Sequence, residues 1–494
     1  MKGISGWMFK PYTRPIDAPA PYIVQILPRE GGFCFDWLDA REHAGVYKVC
    51  YRRRGSDERF CEKVISDGPV TVNGLPDDTE YEFYIRSEDG VKSKTRIALT
   101  GRLPDGVTGV DYLHPLDDIY EYSGHALCAP TILKLPSGKL LVSTSVCCDR
   151  TRWPSDPCLD ILFKSDDNGE SWRYVGDIRP AFNSKLFYHG GRVYMLTLST
   201  DYSSLIIGCS EDEGETWSRP VTLLVGEGVR RWGWHRGSYP IVEKDGYLFT
   251  AIEYGHVEEI YSPTEAELTN AYAPSEKAVS FEYRTLMGGA DKDGRPKAYD
   301  LAHYIGVLSV KADSDLMDPA NWSVNELYYP DEDPRQCIEG NIVELPDGKL
   351  YNLIRTMIYG KSLLLKLDEK APSNGRMTMI ETVEDFPLSA VSKFVIKKDE
   401  VTGKYIAFGN LCDKKEPCGR SILAMAVSKD FKSWNVPYVV AGERGSSNAY
   451  TYPDWIIDGE DILLVSRTAW NGAVNQHDTN MITFHRIMGF RKYL

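Results

Sequence analysis

The chain has 494 residues, more than one ordinary core holds, so two or three domains are expected unless a closed ring of sheets carries most of it. With 42% hydrophobic and 26% charged residues it has the make-up of a folded protein. A net charge of −14 argues against nucleic acid or an anionic membrane as partner, because phosphate binding needs concentrated Lys and Arg. The longest apolar runs, such as Ile462 to Val465, are too short to span a bilayer.

Aromatics at 12%, with 42 Gly and 28 Pro, favour short strands and tight turns over long helices. Residues 1–20 form an N-terminal extension without an apolar stretch of signal-peptide length, so a cytoplasmic location is the simpler expectation and secretion the alternative. Eleven cysteines, odd in number and scattered, are expected to be ordinary thiols. Neither Cys147-Cys148 nor Cys412 with Cys418 completes a four-ligand zinc pattern. No cofactor and no metal is expected, with a structural calcium on an Asp-rich loop left open.

Residues 21–104 alternate in short β runs, among them Tyr22 to Ile26, Gly45 to Tyr51 and Glu80 to Arg86. The segment Leu75-Pro76-Asp77-Asp78-Thr79-Glu80-Tyr81 resembles the corner of a fibronectin type III domain, which implies a small seven-stranded sandwich.

Residues 105–494 carry an internal repeat. Ser165-Asp166-Asp167-Asn168-Gly169-Glu170-Ser171-Trp172 recurs as Ser210-Glu211-Asp212-Glu213-Gly214-Glu215-Thr216-Trp217, with weaker copies from Ser314 to Trp322 and from Ser428 to Trp434. In the two full copies the Asp can accept backbone N–H groups in a turn, the Gly can take a positive φ and the Trp can pack beneath. A strand, turn and strand rhythm runs beside it, around Pro130, Phe187, Pro240, Asn341, Phe394 and Pro453. Six hairpins predict six four-stranded blades, closed by pairing a strand near Val110 with the strands near Ile482 to Phe490, and an insertion at about 255–300. The repeat resembles the Asp box, or BNR repeat, of the sialidase (neuraminidase) superfamily. The fold class predicted is therefore all-β, a six-bladed sialidase-like propeller preceded by a fibronectin III-like sandwich.

The resemblance extends to candidate site residues. Glu339 and Arg355 match the pattern of a Glu that opens one inner strand and an Arg that ends the next, and Arg420 matches a substrate-binding Arg. Tyr450 aligns best with the family's nucleophile, Tyr452 competes for the role, and Asp149 is the candidate acid. Such a site clamps a carboxylate with guanidinium forks, and a Tyr hydroxyl, relieved of its proton by Glu, attacks beside an anion that would repel Asp or Glu. The family's first clamp Arg is absent, because Cys128 stands there. His125, His235, Arg236 and Tyr254 are candidates to bind substrate beside it.

Three functions follow. The first is an exo-glycoside hydrolase that removes a terminal acidic sugar, sialic acid-like or uronic, from an oligosaccharide or glycoconjugate partner. The second is a propeller-type polysaccharide lyase acting on uronic acids through His125, His235, Arg236 and Tyr254. The third is a glycan-binding propeller without catalysis.

Overall fold

A computed structural model describes residues 10–12, 20–39, 41, 45–117, 119, 124–148, 158–226, 232–261, 298–329, 337–356, 361–368, 376–388, 392–412 and 419–494. The protein is all-β, and the only helical pieces among these residues are two short 3-10 turns, Pro319–Asn321 and Phe490–Tyr493.

The N-terminal unit places two sheets face to face. One has three strands, Tyr22–Arg29, Gly32–Leu38 and Val70–Asn73, and the other has four, in the order Cys61–Ile65, Tyr47–Arg53, Glu80–Ser87 and Arg96–Leu99. Alternate residues such as Phe33, Phe35, Val49, Phe83 and Ile85 turn inward to make its core.

Six antiparallel sheets follow in chain order. Blade 1 runs from Gly124–Leu127 and Thr131–Lys134 through Leu140–Cys148 and Leu159–Ser165 to Arg173–Arg179, and the strand Lys10–Tyr12 of the N-terminal extension adds to its outer edge. Blade 2 is Phe182–His189, Arg192–Leu198, Leu205–Ser210 and Val221–Leu224. Blade 3 has a divided inner strand, Gly233–His235 with Val242–Lys244, then Tyr247–Tyr261, Ala298–Lys311 and Trp322–Val324. Blade 4 is Cys337–Glu344, Leu350–Thr356, Ser362–Leu367 and Met377–Val383, and blade 5 is Val395–Lys398, Tyr405–Asn410, Leu423–Ser428 and Asn435–Ala441. Blade 6 has Ala449–Asp458, Asp461–Ala469 and Met481–Ile487, and its fourth strand is Val107–Tyr112, so the ring closes with Met481 opposite Tyr112 and His485 opposite Val107. The insertion expected at 255–300 lies mostly outside the described residues; its two ends lengthen the middle hairpin of blade 3.

A separate apolar cluster fills each gap between neighbouring blades, from Leu141 and Met195 between blades 1 and 2 round to Leu463 and Ile132 between blades 6 and 1. Each blade is covered on both faces, which is why its strands read as near-continuous apolar runs. The repeated turns are built by hydrogen bonds. Asp167 Oδ1 accepts from Ser171 N at 2.9 Å and Ser165 Oγ from Gly169 N at 2.7 Å, and Asp212 and Ser210 do the same with Thr216 and Gly214. Trp172 and Trp217 are buried beneath them.

Candidate functional site

In each blade the inner strand begins, and the second strand ends, at one rim of the ring, so side chains at those places converge on the central mouth. Backbone bulges aim three of them. Register slips occur between Phe182 and Lys185, between Ile338 and Gly340, and between Thr451 and Asp454, and Asn183, Glu339 and Tyr452 there have φ of 53°, 62° and 50°. Positive φ at a non-glycine residue costs of order 1–3 kcal/mol and persists where the surroundings over-determine it. Gly340 fixes the blade 4 bulge, since a Cβ there would stand 2.4 Å from Asn352 Oδ1.

Glu339 and Arg355 meet at the mouth, with Arg355 Nη1 2.8 Å from Glu339 Oε2 and both side chains buried. Beside them Glu253, fully buried, accepts from Tyr239 Oη at 2.8 Å and from the backbone N–H of Gly340 at 3.1 Å, and its Oε2 lies 3.2 Å from His235 Nδ1. Burial opposes charge on His235, but the hydrogen bond to Glu253 and the negative charges of Asp201, Glu253 and Glu339 outweigh it and raise its pKa. Burial also brings Asp201 up to about 6. Next in sequence, Arg236 is wholly buried; Nη1 donates to the carbonyl of Leu196 at 2.9 Å, while Nε and Nη2 find no hydrogen-bond partner among the described residues. Desolvation pulls its pKa down to about 10.

Across the mouth two guanidinium groups approach the ring of Tyr452. Arg467 Cζ is 4.9 Å and Arg420 Cζ 5.7 Å from its ring centre. Arg467 is anchored by Nη2, 3.1 Å from His477 Nδ1 and donating also to the His477 carbonyl. The guanidinium of Arg420 is 1% exposed at the residue level, and none of its three nitrogens has a hydrogen-bond partner among the described residues. Leaving such donors unsatisfied in a buried place is costly, so the position suits a ligand's acceptor. Asn410 joins the strands behind it, its amide donating to the carbonyls of Arg420 at 2.7 Å and Tyr450 at 2.9 Å. Tyr450 itself packs in the apolar layer between blades 5 and 6, and burial raises its pKa.

Below the mouth the axis of the ring holds one carboxylate and three ammonium groups. Asp454 Oδ2 accepts from Lys185 at 2.5 Å and Thr131 Oγ1 at 2.8 Å, and its Oδ1 is 3.7 Å from Lys397. Lys393 donates to Ser238 Oγ at 2.6 Å. Burial lowers Lys393 to about 7 and Lys397 to about 8. Asp454 and Glu339 both act to hold the proton on Lys393, against its burial.

The remaining candidates are dispersed. Asp149 lies outside the described residues. His125 turns away, its Nδ1 2.7 Å from the carbonyl of Asp117, a residue at the seam with the sandwich. Tyr254 pairs with Trp234 and, by strand alternation, faces away from Glu253. The grouping of His125 with His235, Arg236 and Tyr254 expected for a lyase is therefore not assembled. Cys128 is buried and disulfide-bonded, so the expectation of ordinary thiols throughout is corrected at that residue; the seven cysteines Cys34, Cys50, Cys61, Cys158, Cys209, Cys337 and Cys412 are free.

Sequence reasoning missed Glu253 and Tyr239. A signal was present for Glu253. Counting from the hairpin glycine, Glu253 follows Gly246 at the spacing by which Arg355 follows Gly348 and Asn410 follows Gly403, so each ends a second strand at the same rim.

No family model matches the chain, and no curated relative is found. Among solved structures it is similar to a Hadza microbial sialidase, with 14% identity and a TM-score of 0.48 over 95% of this chain and 94% of that one. It is also similar to the intramolecular trans-sialidase from Ruminococcus gnavus, at 13% identity and a TM-score of 0.47 over 78% of this chain and 98% of that one. A third similarity is to the alpha-L-arabinanase of Penicillium chrysogenum, at 12% identity and a TM-score of 0.46 over 78% of this chain and 98% of that one.

Proposed function

We propose that the protein is a glycoside hydrolase that releases a terminal acidic sugar from a glycan. The observation that carries this reading is Arg420, a buried guanidinium without hydrogen-bond partners among the described residues, beside the ring of Tyr452. A sugar carboxylate satisfies those donors bidentately, as no neutral hydroxyl can. Arg467, over the same ring, and Arg355, at the mouth with Glu339, add positive charge around that anion.

In this mechanism the Tyr452 oxygen attacks the anomeric carbon as Glu339 takes the phenolic proton, and the bond from that carbon to the leaving oxygen breaks. Asp149 is assigned the role of acid that protonates the leaving oxygen; water then displaces the tyrosine and regenerates it. Tyr452 is preferred to Tyr450 because two guanidinium groups stand over its ring, whereas Tyr450 is packed between blades. The N-terminal sandwich is read as a fibronectin type III-like module that spaces or docks and takes no part in the chemistry.

A panel of aryl glycosides, acidic and neutral, tests the proposal. Acidic members should be cleaved. Arg420→Met should lower kcat/KM on them by about 100-fold, the equivalent of about 3 kcal/mol for charge-assisted bonds to a buried anion. Tyr452→Phe should abolish turnover and Tyr450→Phe should retain it. Cleavage of neutral glycosides alone, with Arg420→Met as active as the parent, would sink the reading.

A further inference from the structure

Five aromatic side chains form a continuous row at the top of blade 3. Trp234, Tyr254 and Tyr304 are side by side across three neighbouring strands, since Trp234 pairs with Tyr254 and Tyr254 with Tyr304. The rings touch in sequence: Trp234 to Tyr254 at 4.8 Å, Trp232 stacked on Tyr254 at 5.7 Å with 22° between planes, Trp232 to Tyr304 at 5.5 Å, and Tyr304 to Tyr329 at 4.6 Å. Trp232, Tyr254, Tyr304 and Tyr329 belong to none of the apolar clusters that hold the blades together, and Tyr329 is 44% exposed. Large rings left partly in water, in contact with one another, do little for the core and much for a surface that takes a ligand.

The row begins beside the mouth, on the opposite face of the strands from His235 and Glu253. Trp234 and Tyr254 are one residue from His235 and Glu253, the pair that sits next to Glu339. From there it runs outward across the blade, from the inner strand to the second, the third and the loop carrying Tyr329. None of the five side chains carries a charge. A row of aromatic faces edged by tyrosine hydroxyls matches the alternation of C–H faces and hydroxyl rims along a sugar chain. A polyanion is a poor match, because the protein carries a net charge of −14 and the row supplies no cation.

We infer that this row is an extended binding path for neutral sugar units, holding the part of the glycan beyond the acidic residue at the mouth. The inference deepens the proposed hydrolase reading and rests on it for direction: the acidic sugar sits at Arg420 and the neutral chain leaves over blade 3. It makes the protein selective for oligosaccharides over small glycosides, since stacking on several rings is lost when the substrate ends after one unit.

The test compares kcat/KM for an aryl glycoside of the acidic sugar with that for the same sugar terminating a neutral trisaccharide, using the full chain. The oligosaccharide should be preferred, and Trp232→Ala and Tyr329→Ala should each cut that preference by about three- to tenfold, the scale of one aromatic contact, while the aryl glycoside rate stays unchanged. No preference in the parent, or a preference unmoved in both variants, would overturn the inference even with the hydrolase intact. Should no glycoside be cleaved, tryptophan fluorescence titrated with the neutral trisaccharide alone examines the row by itself. Saturable quenching that is weakened in both variants supports it, and none at about 10 mM, where affinities worth about 3 kcal/mol still register, rejects it.

Discussion

Lys393 is a lysine held where water cannot reach it, and the charges of Asp454 and Glu339 both act on its proton. Its pKa is about 7 in the folded protein against an ordinary 10.5. Between those values the unfolded chain carries a proton on this residue that the folded protein does not, so stability rises with pH across the window and is lost as pH falls towards 7. Urea denaturation at pH 7 and pH 10 should show Lys393→Met gaining less stability over that interval than the parent, and an equal gain in both would contradict the assignment. Asp454 works in the opposite range. Burial opposes its charge, but Lys185, Lys397 and Lys393 together hold its pKa below the ordinary carboxylate value, so its stabilisation is complete above about pH 4 and fades in stronger acid. Individual residues were also where the sequence was hardest to read. The sequence aligned Tyr450 with the nucleophile and kept Tyr452 as its competitor, and the bulge between Thr451 and Asp454, where Tyr452 has φ of 50°, re-aims the second of them. Nothing in a single sequence marks this bulge or the one that holds Glu339, whereas the pairing of Glu339 with Arg355 was legible because the hairpin between them has a glycine turn of ordinary length.

The blades show why the repeat could be read and the details of its members could not. Gly169 and Gly214 have φ of 93° and 90°, and each sits against the next packing layer: a Cβ at Gly169 would lie 2.3 Å from Phe484 and one at Gly214 2.8 Å from Leu141. Backbone strain and overpacking act together there, so Gly169→Ala should cost about 2–4 kcal/mol in thermal or chemical denaturation. Gly138, whose φ is 88° with open space around it, should lose only the conformational part when changed to Ala, about 1 kcal/mol. Both glycines were visible as turn signals, but only the first has a neighbour that punishes a methyl group. The divided inner strands of blades 1 and 3 were not visible either, since the interruptions near Pro130 and Pro240 read as strand starts.

At the scale of the molecule the sandwich is fastened to the ring by polar as well as apolar contacts. Tyr112, Trp470 and Met481 of blade 6 complete the sandwich core. Arg96 Nε donates to Asp117 Oδ2 at 2.5 Å with both side chains buried, and Gln25 Nε2 donates to the carbonyl of Val110 at 2.6 Å. Arg96→Met leaves Asp117 buried without its cation and should destabilise by about 3–5 kcal/mol; the same loss should be seen by probes in either unit if the two unfold together, and an effect confined to the sandwich would show that they do not.

Ring closure has a further consequence for how the chain is made. The strand Val107–Tyr112 is synthesised before the blades, yet its partner, Met481–Ile487, follows five complete ones. Throughout that interval one sheet edge has no mate, and a nascent or truncated chain ending before Met481 carries an open strand that invites pairing with another copy. The strand Met481–Ile487 is in this sense the latch on the ring, and chains that stop short of it are expected to accumulate as aggregates even though every other blade is encoded.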